Sequence, residues 1–210
     1  MAKKNLKYGV LITFEGSEGS GKSTQARRLC GYLRQKGFKV LHLREPGSTA
    51  IGEKIRDILL DPKNKKMDVA CEMLLYQAAR ARLIREKILP ALSQKKIVVL
   101  DRFLDATICY QGYGGGLNIT LIKQIGKLAT CDTQPDLTIL LDISAKEGLR
   151  RSKTRDRIER RPLAFHRRVR RGYLKLARAN VRRIKVIPVA REISKTQSEI
   201  RKIVKWRLKI

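Results

Sequence analysis

An open α/β sheet, parallel and covered by helices on both faces, is the fold class the sequence predicts, and three observations predict it. Five short β-rich runs alternate with helical stretches along 210 residues, the rhythm of β-α units that makes successive strands parallel. A glycine-rich stretch, Gly16-Ser17-Glu18-Gly19-Ser20-Gly21-Lys22-Ser23-Thr24, stands between the first run and the first helix. Polar residues collect just past the C-terminal ends of the runs (Glu15–Thr24, Arg44–Pro46, Asp101–Arg102, Asp142), the edge where such sheets keep their ligands.

The elements follow in order. Tyr8–Phe14 reads as a buried strand, and Lys22–Lys36 places Ala26, Leu29, Cys30 and Leu33 on one helix face. Lys39–Arg44 is a second strand, stopped by the turn Glu45-Pro46-Gly47. Ser48 or Thr49 caps a helix to about Leu60, and a long helix runs from about Asp68 to Leu89, ending at Pro90. Lys95–Leu100 is a buried strand. Asp105–Gln111 is helical, Gly112–Gly116 is a glycine-rich loop, and a helix from Asn118 or Thr120 reaches about Thr130. Asp136–Asp142 is the fourth strand, followed by a helix over Ala145–Ser152 and another opening at Arg160-Arg161-Pro162 and running to about Val181. Lys185–Val189 is the last strand, whose Pro188 marks an edge or a bulge. Ser194–Leu208 closes as an amphipathic helix.

The glycine loop fits G-x-x-x-x-G-K-[ST] with no mismatch. Strand, loop and helix in that order turn successive N–H groups toward one point, where a helix N-terminus adds positive potential. Lys22 then reaches the β- and γ-phosphates, and the Ser23 hydroxyl sits on a magnesium ion. The fold class becomes a three-layer P-loop NTPase fold with a five-stranded sheet, and the site one for a nucleoside triphosphate.

Composition narrows the partners. With 42% hydrophobic residues and no apolar run near 18 residues, the chain reads as a single globular domain without a membrane span. The basic start runs straight into a strand rather than a secretory signal, which points to the cytoplasm. Four widely spaced cysteines and two histidines argue against structural zinc; Cys30, Cys71 and Cys109 read as small core residues. Net charge is +29, and Arg150–Lys185 alone carries 16 Lys and Arg against Asp156 and Glu159. Charge on that scale suggests a polyanion, yet it alternates with apolar helical positions and forms no tail. It is read as solvated surface with a subset gripping phosphates, not as specific nucleic-acid binding.

Gly16–Thr24, Arg44-Glu45-Pro46-Gly47, Leu74–Arg80, Asp101-Arg102-Phe103, Tyr110-Gln111-Gly112, Pro135-Asp136-Leu137, Asp156-Arg157-Ile158-Glu159 and Phe165–Ala177 together resemble the thymidylate kinase family, from about residue 8 to residue 190. The residues carry their own chemistry. Tyr76 and Arg80 are i, i+4 on one helix face, a ring to stack on a base and a guanidinium for its carbonyl. Thr107 and Gln111, again i, i+4, can read the remaining base edge.

The resemblance implies an ATP:dTMP phosphotransferase making dTDP in one nucleoside monophosphate kinase domain with a lid over about residues 150–161, Mg²⁺ as cofactor and a homodimer. It implies Tyr110 against the deoxyribose, Glu18 on the 3′-hydroxyl, and Arg56 and Arg102 on the acceptor phosphate. Asp101 acts on magnesium through water or holds Arg102; Arg44 pairs with a phosphate or with a carboxylate such as Glu45. One class of the family carries a catalytic arginine right after the acidic loop residue. Here that position is Gly19, so the lid must supply it, with Arg155 first, then Arg151, among Arg150, Arg151, Arg155 and Arg157. The alternatives are a kinase for another nucleotide or deoxynucleoside, or a nucleic-acid-binding P-loop ATPase.

Overall fold

The computed structural model describes residues 6–152 and 156–209. Five strands, β1 (Val10–Glu15), β2 (Val40–Arg44), β3 (Ile97–Asp101), β4 (Leu137–Asp142) and β5 (Ile184–Pro188), form one sheet in the order β2-β3-β1-β4-β5. Every neighbouring pair is parallel. β1 is central; the chain goes from it to β2, returns to β3 on that side and then crosses to β4 on the other, which opens a crevice at the C-terminal end of β1. The register sets Phe14 and Arg44 level with Asp101, and Glu15 level with Leu140. Edge strand β5 ends in Pro188, whose missing N–H costs no ladder bond there.

Alternation along β1 sorts the core. Val10, Ile12 and Phe14 pack with Leu29 and Leu33 of α1 (Lys22–Gln35) and Ile200 and Val204 of α9 (Ile193–Leu208) on one face. On the other face lie α3 (Val69–Leu83) and α8 (Leu163–Ala179), with Leu83 and Val169 in the core. This second face also carries a polar seam: Thr13 bonds Thr138 at 2.7 Å, Thr138 accepts from Arg183, and Arg183 pairs with Asp105. α2 (Ala50–Leu60), capped by the Thr49 hydroxyl, and α6 (Ile119–Thr130) flank α3, and α7 (Ala145–Arg151) follows β4.

Three expectations about elements are corrected. Pro90 does not end the long helix: α3 continues through a π-helical turn, Ile84–Ile88, into α4 (Leu89–Ser93). Pro90 falls in the first turn of α4, where its missing N–H is tolerated. The glycine-rich loop is mostly helical, because α5 (Leu104–Thr107) runs into a second π segment, Ile108–Gly114. Its glycines admit α8: a Cβ on Gly114 would lie 2.7 Å from the Phe165 ring. Cys71 is exposed on α3, while Cys30 and Cys109 are buried as expected.

Candidate active site

The loop Gly16–Thr24 wraps the N-terminus of α1. Lys22 is buried, its Nζ donating to the Ser17 carbonyl at 2.9 Å and lying 3.4 Å from Ser20 Oγ, and Ser20 Oγ donates to Ser17 at 2.8 Å. Burial, with Arg102 nearby, lowers the Lys22 pKa. The Ser23 hydroxyl donates to Asp101 Oδ2 at 2.5 Å across the crevice. The Asp101 carboxylate makes no hydrogen bond to the Arg102 side chain, which bonds Gly16, Glu18 and Tyr173 instead. Gly19 is backed by α7: at φ +63° its Cβ would lie 2.0 Å from the Gly148 carbonyl oxygen and 3.1 Å from Cβ of Arg151.

Glu18 turns out of the loop toward Arg102, whose Nη2 donates to both of its oxygens at 2.9 Å, while Tyr110 donates at 2.6 Å. Burial pushes this carboxyl up, but Arg102, Lys22 and Tyr110 outweigh it and hold it at about 2. Arg102, at φ +69°, also donates through Nη1 to Gly16 and to the Tyr173 hydroxyl, and lies 4.8 Å from the centre of the Tyr110 ring. Beneath it, Glu15 accepts from the Phe103 N–H at 2.7 Å and the Tyr173 hydroxyl at 2.8 Å. Burial, then the charge of Asp105, pushes Glu15 up to about 8. Glu15 is thus a support for the Arg102 turn.

Beyond Arg102 lies a cavity lined by both polar and apolar side chains, the mixture expected of a small-molecule site. Tyr76, Arg80, Thr107, Tyr110 and Gln111 line it, so the structure brings the predicted base-reading residues together. Arg80, 1% exposed, donates to Gln77 at 2.6 Å, to the Phe103 carbonyl at 3.1 Å and to Thr107 Oγ1 at 3.0 Å. Its Nε is 2.8 Å from Glu45, equally buried; burial drives that carboxyl up to about 7 against the pull of Arg80. Arg56 donates to the Pro46 carbonyl at 3.0 Å at the cavity mouth. A groove along Gly19–Thr24 shares Glu18, Glu45, Arg56, Arg102 and Asp156 with this cavity and also touches Arg151.

Some expectations need correction. Arg44 pairs with Glu53 at 2.8 Å rather than with Glu45. Arg157 is no free lid cation: it is buried, bonded to Leu59 and to Glu72. Arg150 and Arg151 both rest on Glu147 at 2.7 Å, and Arg155 lies outside the described residues. Glu45, Glu72 and Tyr173 support this site without being singled out for it by the sequence. A carboxylate such as Glu72, within a helix otherwise rich in apolar residues, was the available signal.

A thymidylate kinase family model matches residues 14–200. The chain belongs to the thymidylate kinase family. It is 46% identical over 199 residues to the thymidylate kinase of Thermoanaerobacter sp. (strain X514), covering 94% of this chain and 98% of that one. It is also 46% identical over 197 residues to that of Symbiobacterium thermophilum, covering 93% and 92%. Its fold is similar to the crystal structure of thymidylate kinase from Ehrlichia chaffeensis, with TM-score 0.78 and 36% identity, covering 94% and 98%. The enzyme is therefore a nucleotide-binding transferase, a kinase acting on dTMP. No helix among the described residues is long and apolar enough to cross a membrane.

The Glu15 support gives a pH signature. A carboxyl at about 8 when folded, against an ordinary 4.5, holds its proton more tightly folded. Its contribution to stability is therefore full at acid pH and drains away as pH rises through that window. Glu15→Gln, which mimics the protonated group, escapes this loss. Denaturant titrations from about pH 5 to pH 8 should show the wild type losing stability relative to E15Q; a constant difference removes the assignment.

Proposed function

We propose that the enzyme moves the γ-phosphoryl group of ATP to dTMP by direct in-line transfer, yielding dTDP, with no covalent enzyme intermediate. The observation that carries this reading is the meeting of the two cavities at Glu18, Arg56 and Arg102, which supports a phosphate groove that opens into a base-binding pocket. The groove holds the phosphates on the backbone N–H groups of Gly16–Thr24 and on Lys22. Tyr76 stacks on the thymine, with Arg80, Thr107 and Gln111 on its polar edge. Thr107 accepts from Arg80, which leaves its own proton for a base oxygen. Tyr110 takes the deoxyribose face and Glu18 the 3′-hydroxyl. Arg56 and Arg102 hold the acceptor phosphate, and Arg102 keeps an Nε–H that donates to no protein acceptor among the described residues.

Ser23 and Asp101 fit Mg²⁺: a hydroxyl and a carboxylate oxygen, both hard ligands, already meet on the groove wall. No cluster of three or more His, Cys, Asp or Glu among the described residues could hold a metal, which suits an ion completed by phosphate and water oxygens. When bound, it neutralises charge on the phosphates. Transfer is otherwise positioning plus charge neutralisation, so one more guanidinium is needed. Arg151 is favoured by its place beside Gly19 in the groove; Arg155 keeps its candidacy as the next lid cation. The lid then comprises about residues 150–161, its far end anchored through Arg157.

The homodimer reading rests on an apolar face of α2, α3 and α6, where Ile51, Ile58, Leu74, Leu121 and Leu128 are exposed, Leu128 at 75%. Met73 and Leu83, on the same helix as Leu74, face the core instead. Sedimentation showing only monomer would remove it. The enzyme is assigned to the cytoplasm, where ATP is abundant and its four free cysteines stay reduced.

ADP release across dTMP, dUMP, dCMP, dGMP and thymidine tests the activity. dTMP should be preferred, with some dUMP turnover, because one methyl group gives about 10- to 200-fold discrimination. Hydrolysis stimulated by nucleic acid in place of transfer would favour the nucleic-acid ATPase. Lys22→Ala should abolish turnover without unfolding the chain. Arg151→Ala should lower kcat by about 10³-fold or more; a near-normal rate, with the loss appearing in Arg155→Ala, moves the role to Arg155.

A further inference from the structure

We propose that Glu72 sets the base specificity of the pocket by locking the side-chain amide of Gln111 in one orientation. The inference rests on the thymine-pocket reading and names a residue that this reading leaves out. Glu72, Tyr76 and Arg80 are spaced by four along α3 and form one stripe. Glu72 is fully buried. Its Oε1 accepts from Nε2 of Gln111 at 2.6 Å, and its Oε2 accepts from Arg157 at 2.5 Å and Arg161 at 2.6 Å.

A carboxylate has no proton to give, so the side of the amide that meets Glu72 must be the NH₂. The Gln111 carbonyl oxygen is thereby turned away from Glu72, and it accepts no hydrogen bond among the described residues. The two guanidinium groups occupy the opposite oxygen, so Glu72 is not an unpaired buried charge and is held in place. Arg157 also donates to the Leu59 carbonyl, which extends the lock to the end of α2.

For a bound base the result is an ordered pair, with the one Arg80 N–H that has no protein partner among the described residues, on Nη1, as donor and Gln111 as acceptor. A keto pyrimidine presents the complement, an acceptor O4 beside a donor N3–H. Cytosine presents an amino donor at C4 beside an unprotonated N3, so it meets donor against donor and lone pair against lone pair. A free amide could turn its NH₂ to cytosine N3 and forfeit half of this code. Glu72 touches no base itself; it is a positioning residue for one that does.

The test is kcat/KM for dTMP and dCMP in the wild type and in Glu72→Gln, whose amide can offer either group to Gln111. The ratio of the two constants within one preparation is independent of the folded fraction. It should fall by about tenfold or more in E72Q, dTMP losing and dCMP gaining. A Glu72 that only supports the fold would depress both substrates equally, and an unchanged ratio overturns the proposal. Gln111→Leu should lose the ratio comparably, and the double variant no further, because the two act as one unit; additive losses also overturn it. If E72Q gives no folded enzyme, Arg161→Gln loosens the lock from its rim and should lower the ratio about threefold; no change there is equally fatal. A wild type that prefers dCMP would defeat the pocket reading itself, and the lock with it.

Discussion

The contact between Arg102 and Glu18 is the constraint from which the rest of the crevice follows. It ties the P-loop on β1 to the end of β3, and through Tyr110 to the π segment that walls the adjoining cavity. Arg102 occupies the left-handed backbone region, a placement that costs about 1–2 kcal/mol for a residue with a Cβ. Its own N–H bonds to the Phe14 carbonyl, and Glu15 secures the next N–H. Buried groups beneath the turn therefore offset the strain above it. The carboxylate inside the glycine loop is reconciled by the same contact: Glu18 turns out of the loop and is neutralised by the Arg102 guanidinium.

The order and kind of the elements were legible because each strand is a short apolar run bounded by polar turns, and because the loop motif carries its own strand-and-helix context. Boundaries failed where helix geometry departs from the α period. Pro90 and Gly112–Gly116 are breakers in an ordinary helix, but π-helical turns and close packing against α8 absorb them. Among site residues, pairs spaced four apart on one helix, Tyr76 with Arg80 and Thr107 with Gln111, could be read without a structure. Their supports could not. Glu45 reaches Arg80, and Arg157 reaches Glu72, across separations of 35 and 85 residues that no local spacing encodes.

The large basic excess divides into two populations. Some cations are structural: Arg80, Arg157 and Arg183 pair with carboxylates inside the fold, and Arg170 holds Asp142 at the end of β4. Others, including Arg167, Arg171, Lys175 and Arg178, line the exposed side of α8, which contains no acidic residue. Removing Arg80, Arg157 or Arg183 takes a partner from a buried carboxylate, whereas removing one of the exposed kind costs little. Net charge alone cannot tell these apart, which is why it says little about function here.

The contact between Gly19 and Gly148 has an evolutionary consequence. Each glycine leaves the room into which the other's backbone fits: a Cβ on Gly148 would lie 2.3 Å from the Glu18 carbonyl oxygen, just as one on Gly19 would strike Gly148. An arginine cannot be introduced at position 19 by a single step without forcing α7 from the loop. Positions 19 and 148 are therefore coupled: a side chain at either requires the other's backbone to move first, so neither can change alone without loosening α7 from the loop.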